Sequence, residues 1–135
     1  MVVGQRTGNL GAVIRAGHFE VISGVLPAKG GDDEGPDPHE LLETALAACT
    51  IITVQMYANR KQWPLSSVHC SIKIDKEGPE GTFITREISF EGDLTDEQRA
   101  RLFDISEKCP IHKLLTGKVE ITSKMGERGA SQSQR

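Results

Sequence analysis

The sequence predicts an α+β fold, and three patterns in its 135 residues carry that reading. Runs of alternating apolar residues come in adjacent pairs, 10–15 with 19–26 and 68–74 with 83–90. A long uncharged stretch of helical character separates the two pairs. A capped, charged helical segment follows the second pair, so strands pair with their neighbours and the helices are segregated from them.

The first two strands join around Ala16-Gly17-His18. Residues 27–38 hold Gly30-Gly31, Asp32-Asp33-Glu34 and Gly35-Pro36-Asp37-Pro38, a loop rich in turn formers and solvated acids. Asp37-Pro38 then starts a helix, with Asp as N-cap, Pro at the first helical position and Glu40 at the third. Pro64 stops that helix after about Gln62, giving roughly 25 residues and about 37 Å at 1.5 Å per residue. In the strand over 68–74, Val68, Cys70, Ile72 and Ile74 share one face. Gly78-Pro79-Glu80-Gly81 turns it into its hairpin partner, 83–90. Thr95-Asp96-Glu97-Gln98 is a capping box that opens a helix through about Lys108. Cys109-Pro110 begins a short helical turn closed by Gly117, and 118–122 reads as a last strand. A single domain over 1–125 and a polar, disordered tail over 126–135 are expected.

Composition narrows the function classes. A net charge of −3 and 4% aromatic residues argue against nucleic acid as the main partner. The start, Met1-Val2-Val3-Gly4-Gln5-Arg6, has no apolar h-region, so a cytoplasmic protein is expected. Three cysteines, an odd number, suit a reducing compartment where thiols serve packing or chemistry. No charge occurs from residue 44 to 59, yet Thr, Gln and Asn interrupt the run. It reads as too short and too polar to cross a bilayer, so no membrane partner is expected. A helix apolar nearly all round must be covered all round. Two copies covering each other in a homodimer is the economical solution, and a monomer whose sheet wraps the helix is the alternative.

Cys49 lies in that helix, in Ala47-Ala48-Cys49-Thr50. Mid-helix amides are already bonded and burial raises a thiol pKa, so reactivity there needs a cation from another segment. A buried core cysteine is the plainer reading of the spacing alone. Cys109, at the N-cap position before Pro110 and near Lys108, His112 and Lys113, sits where a helix end favours a thiolate. Filling a helix junction is its plainer role. Cys70 alternates with apolar neighbours and reads as core, remote from both. His69 and Cys70 point to opposite faces, and Cys109 with His112 has no second pair at zinc-ligand spacing, so no metal site is expected. No phosphate-binding loop or dinucleotide fingerprint occurs, so no cofactor is expected.

Taken together, Gly30-Gly31, Gly35-Pro36-Asp37-Pro38-His39-Glu40-Leu41-Leu42, Ala45-Leu46-Ala47-Ala48-Cys49-Thr50 and Cys109-Pro110-Ile111 closely resemble the OsmC/Ohr family over about residues 8 to 125. The resemblance implies an intertwined homodimer, with antiparallel sheets packed around two long central helices. It also implies reduction of organic hydroperoxides or hydrogen peroxide, with Cys49 as peroxidatic and Cys109 as resolving cysteine and an external dithiol as reductant. The alternative is a non-catalytic fold relative that binds a small hydrophobic or electrophilic molecule in the dimer cleft.

Two departures mark this chain. The peroxidase branches carry a Glu ten residues before the first cysteine, paired with an early-strand Arg. Here that position is His39 and the acid is Glu40, a pattern nearer the YhfA-like branch. On a regular helix Glu40 lies about 13 Å along the axis from Cys49 and on the opposite side. It would serve a partner chain's thiol, or a bend must intervene. The resemblance nominates Arg6, in Arg6-Thr7-Gly8, as the activating cation held by Glu40, with Arg15 as the second candidate and His39 as a replacement for the usual acid.

Overall fold

The computed structural model describes residues 1–127. The chain divides into two compact units: Met1–Leu41 with the chain after Glu120, and Leu42–Glu120.

In the first unit, β1 (Val2–Thr7), β2 (Gly11–Ala16) and β3 (Phe19–Ser23) form an antiparallel sheet in the order β1-β2-β3. β1 was not foreseen. It offers only Val2-Val3 before Gly4-Gln5-Arg6, and its residues are mostly exposed, so the ladder to β2 rather than an apolar face defines it. The β1–β2 turn is held by Arg6, whose Nη1 donates to Gly8 O at 2.6 Å and Asn9 O at 3.4 Å. The loop after β3 folds back on it: Ser23 Oγ donates to Pro36 O at 2.8 Å and Asp33 N–H to Val25 O at 2.9 Å. A Cβ on Gly31 would stand 2.2 Å from Val25 O, and one on Gly35 the same distance from Ile22 O. Close backbone approach is thus the physical reason for glycine at both loop positions.

Helix α1 (Pro38–Lys61) starts as expected. Asp37 Oδ1 accepts from Glu40 N–H at 2.8 Å, and Glu40 Oε1 accepts from Asp37 N–H at 3.0 Å. It ends at Gln62, whose φ of 59° bends the chain back so that Trp63 N–H reaches Ala58 O at 2.9 Å. The buried residues of α1 form one stripe, Leu46, Thr50, Val54 and Ala58, at the four-residue spacing of a single helix face. Ile52 and Met56, on another face, stay 57% and 55% exposed. One chain therefore covers one side of a helix whose composition calls for cover all round. By length and hydropathy α1 does reach what a bilayer span needs, with mean hydropathy 1.4 over its apolar window. This corrects the expectation that the stretch was too short and polar for that test.

The second unit adds the hairpin β4 (Leu65–Gly78) and β5 (Gly81–Gly92), longer at both ends than the apolar pattern suggested and paired through Gly78 and Gly81. Helix α2 (Asp96–Ser106) opens on the Thr95 capping box and stops just short of the expected end. Val54, Ala58, Leu65, Val68 and Leu102 form the buried cluster, with Ile51, Trp63, Ile88 and Phe90 packed against it. Arg99 fastens α2 to the hairpin through Phe90 O at 2.7 Å and Gly92 O at 3.0 Å. Helix α3 (Pro110–Thr116) follows Cys109 as read from Cys109-Pro110.

The expected last strand does not form: residues 118–127 carry no regular structure, and Val119 and Ile121 are exposed. A strand exists only as a rung of a ladder, and the described residues give that segment no partner. Residues 128–135, most of the expected tail, lie outside the described residues.

Candidate functional site

The second unit brings two of the three cysteines together. Cys49 is half-buried on α1, and Cys109 is fully buried at the N-cap of α3. The two side chains are close enough for each thiol to act on the other, and both thiols are free. The Cys109 sulfur accepts from His112 N–H at 3.4 Å, as an N-cap side chain should. Pro110 has no N–H, so Ile111 is the first residue of α3 with an amide to give, and that amide favours the charged form of both thiols. Thr53, one turn along α1, places its hydroxyl 3.9 Å from the Cys49 sulfur.

These contacts separate the two thiols electrostatically. Burial pushes Cys49 up. The Cys109 thiol, the Ile111 amide, the Thr53 hydroxyl and the charge of Arg86 together outweigh that and hold it below an ordinary thiol. Burial also pushes Cys109 up, and the hydrogen bond it gives to Cys49 pushes it further, against the pull of the His112 and Ile111 amides. Of the two thiols, Cys49 is thus the one that gives up its proton first. Mid-helix Cys49 gains nothing from its own backbone, but a neighbouring helix supplies an amide that sequence reasoning did not anticipate.

Arg86 is the residue the sequence reading missed. It sits on β5 opposite Ile72, with its side chain 8% exposed. Its Nη1 donates to Thr50 Oγ1 at 3.0 Å and to Ser106 O at 3.2 Å, and its Nη2 pairs with the Glu107 carboxylate. The signal was present: Ile84-x-Arg86-x-Ile88-x-Phe90 alternates, which puts a guanidinium on the inward face of a strand. A charge so placed must be paired, and the structure pairs it.

The early arginines each have partners within the first unit. Arg6 is engaged by the carbonyls of its own turn, and Arg15 pairs with Glu20 at 3.2 Å across β2 and β3. Glu40 closes the N-terminus of α1, and His39 lies exposed in the first turn of that helix. The guanidinium in electrostatic reach of Cys49 is that of Arg86.

Cys70 corrects an expectation. It is half-buried and near enough to Thr50, Cys109 and Arg86 to be influenced by them, so it is not remote. Burial holds its thiol above the ordinary value. The hairpin face that carries Cys70 also carries Arg86, and both meet α1 at Thr50, one residue past Cys49. Among the described residues no cluster of three His, Cys, Asp or Glu side chains is placed to hold a metal ion.

A cavity of about 500 Å³ lies in the same unit, between β5 and the last two helices. Leu46, Phe83, Phe103 and Leu115 give it apolar walls, and Arg86 and His112 line it as well.

The fold recurs in solved structures. An organic hydroperoxide resistance protein, OsmC, of Legionella pneumophila is 19% identical, with a TM-score of 0.65 over 87% of this chain and 88% of that one. An OsmC-like protein of Mycoplasma pneumoniae is 17% identical, with a TM-score of 0.68 over 87% and 86%. An organic hydroperoxide resistance protein of Elizabethkingia anophelis, with thiocyanate bound, is 18% identical, with a TM-score of 0.63 over 89% and 91%. No curated protein matches the sequence significantly. The family model described as OsmC-like protein matches residues 31–124, which hold Cys49 and Cys109 and begin at the second glycine of the Gly-Gly loop. The chain belongs to the OsmC-like protein family.

Proposed function

We propose that this protein is a thiol peroxidase that reduces organic hydroperoxides or hydrogen peroxide through Cys49 and Cys109. The observation that carries the reading is the juxtaposition of the two thiols, with Cys49 held below an ordinary thiol and Cys109 above it. A thiolate is the nucleophile such chemistry needs, and a protonated thiol beside it is positioned to resolve the product. Cys49 attacks the distal peroxide oxygen: the S–O bond forms, the O–O bond breaks, and the leaving alkoxide takes a proton to become the alcohol. The Cys49 sulfenic acid then condenses with the Cys109 thiol, forming the S–S bond and releasing water. An external dithiol restores both thiols by exchange. The hydroperoxide resistance proteins among its structural relatives support this reading.

In this reading Arg86 supplies the charge first sought in Arg6, while Arg6 braces its turn and Glu40 caps α1. The protein works as a homodimer, because Ile52 and Met56 leave a face of α1 uncovered in one chain. The cytoplasm, where dithiol reductants are kept reduced, is the compartment that suits the cycle. A second reading, a binding protein for a small hydrophobic or electrophilic molecule, draws on the cavity walled by Leu46, Phe83, Phe103 and Leu115. Turnover separates the two. With tert-butyl hydroperoxide and excess dithiothreitol, the wild type should consume peroxide catalytically and Cys49→Ser should not. Equal, background consumption by both proteins would give the binding reading the lead.

A further inference from the structure

We propose that Arg86 is a positioning residue of the Cys49–Cys109 pair, a buried strut that sets the gap the disulfide must close. The inference rests on the redox reading above and concerns how the pair is held. The two cysteines belong to different elements, α1 and the junction between α2 and α3, and no backbone ladder joins those elements. Arg86 spans them from a third. One of its nitrogens donates to the hydroxyl of Thr50, the residue after Cys49, and to the carbonyl of Ser106, three residues before Cys109. Its other terminal nitrogen holds Glu107, two residues before Cys109.

The partners of the strut are themselves fixed. Thr50 is fully buried and donates its own hydroxyl proton to Leu46 O at 2.7 Å, leaving an oxygen lone pair for Arg86. Ser106 is fully buried, with its hydroxyl bonded to Phe103 O, and its carbonyl also accepts from Cys109 N–H at 3.4 Å. Pulling on the Ser106 carbonyl therefore pulls directly on the residue that carries the second thiol. A guanidinium can do this and an ammonium cannot: it is a planar fork with several fixed donors, whereas lysine offers one point charge. Glu107 is half exposed and lies 3.9 Å from His112 Nε2, so it anchors the outer end of the strut beside solvent.

The geometry separates two contributions of one side chain. The charge of Arg86 acts on Cys49, together with Cys109, the Ile111 amide and Thr53; the fork acts on the Thr50–Ser106 distance. Arg86→Lys keeps the charge and gives up the fork, and Arg86→Met loses both. Two readouts need no peroxide: the pH dependence of Cys49 alkylation, followed by peptide mass mapping, and the rate of Cys49–Cys109 disulfide closure driven by diamide. Arg86→Met should move the alkylation midpoint to higher pH and slow closure at least about tenfold, the scale expected when reacting atoms lose their alignment. Arg86→Lys should restore the midpoint and leave closure slow. Glu107→Gln, at an exposed position, should slow closure without raising the midpoint, and it keeps the test decisive if Arg86→Met does not fold. Closure at wild-type rate in both folded Arg86→Lys and Glu107→Gln would overturn the proposal. A wild type that closes its disulfide with diamide through Arg86 yet ignores peroxide would sustain the strut and sink the peroxidase reading.

Discussion

The Cys49 and Cys109 thiols shift in opposite directions from an ordinary cysteine because of what surrounds each sulfur, and that difference is measurable residue by residue. Cys49 is the thiol held below the ordinary value, while burial lifts both Cys70 and Cys109. Lowering a thiol pKa leaves more thiolate at a given pH, so the sign is fixed. As pH falls from 9 to 6, Cys49 should remain alkylatable after the other two have become inert. Its half-maximal rate should lie at lower pH than that of an ordinary free thiol. Iodoacetamide labelling at a series of pH values, read by peptide mapping, gives the three profiles, and a Cys70 or Cys109 profile lying at lower pH than that of Cys49 would contradict the assignment. Cys49 and Cys109 were legible in the sequence through the Ala-Ala-Cys and Cys-Pro motifs. Arg86 was visible only as an oddity, a cation in an alternating strand, because its partners Thr50 and Ser106 are 36 and 20 residues away.

At the scale of elements, the parts with local chemistry were readable and the parts defined by distant pairing were not. The Asp37 and Thr95 capping boxes, the Gly78–Gly81 hairpin turn and the Cys109 N-cap each form within four residues of sequence, and all four stand as read. β1 and 118–122 are opposite errors with one cause. β1 has little apolar pattern but finds a ladder partner in β2, whereas 118–122 has the pattern and finds none among the described residues. The end of α1 carries a further consequence. Gln62 adopts a left-handed conformation that costs a residue with a side chain roughly 1 kcal/mol, and glycine populates it freely. Gln62→Gly should therefore raise stability by about 0.5 to 1 kcal/mol, seen as a higher denaturation midpoint with unchanged slope. A lower midpoint would mean that the Gln62 side chain, not its backbone, matters there.

At the scale of the molecule, α1 is the element a single chain leaves unfinished. Its buried stripe meets the chain's own core, while Ile52 and Met56 stand exposed on a helix without a charge between residues 44 and 59. Burying apolar side chains is worth about 25 cal/mol per Å², so leaving that face to water would be costly. A second copy of the chain is the cover proposed for it. Ile52→Lys with Met56→Lys should convert a dimer of about twice 14.7 kDa into monomer or into aggregate, as read by sedimentation velocity. A wild type that sediments as a folded monomer at micromolar concentration would sink the dimer. Family membership was legible because short motifs stay in fixed order along the chain, while the surroundings of the site depend on how hairpin and helices meet.

The redox pair is the claim on which the rest depends, and one measurement reaches it directly. Fully reduced protein is treated with one equivalent of tert-butyl hydroperoxide, quenched with an alkylating agent and digested for mass mapping. A single intrachain disulfide between Cys49 and Cys109, with Cys70 recovered alkylated, is the predicted result. Recovery of Cys49 and Cys109 both as alkylated thiols, or a disulfide through Cys70 instead, would contradict it.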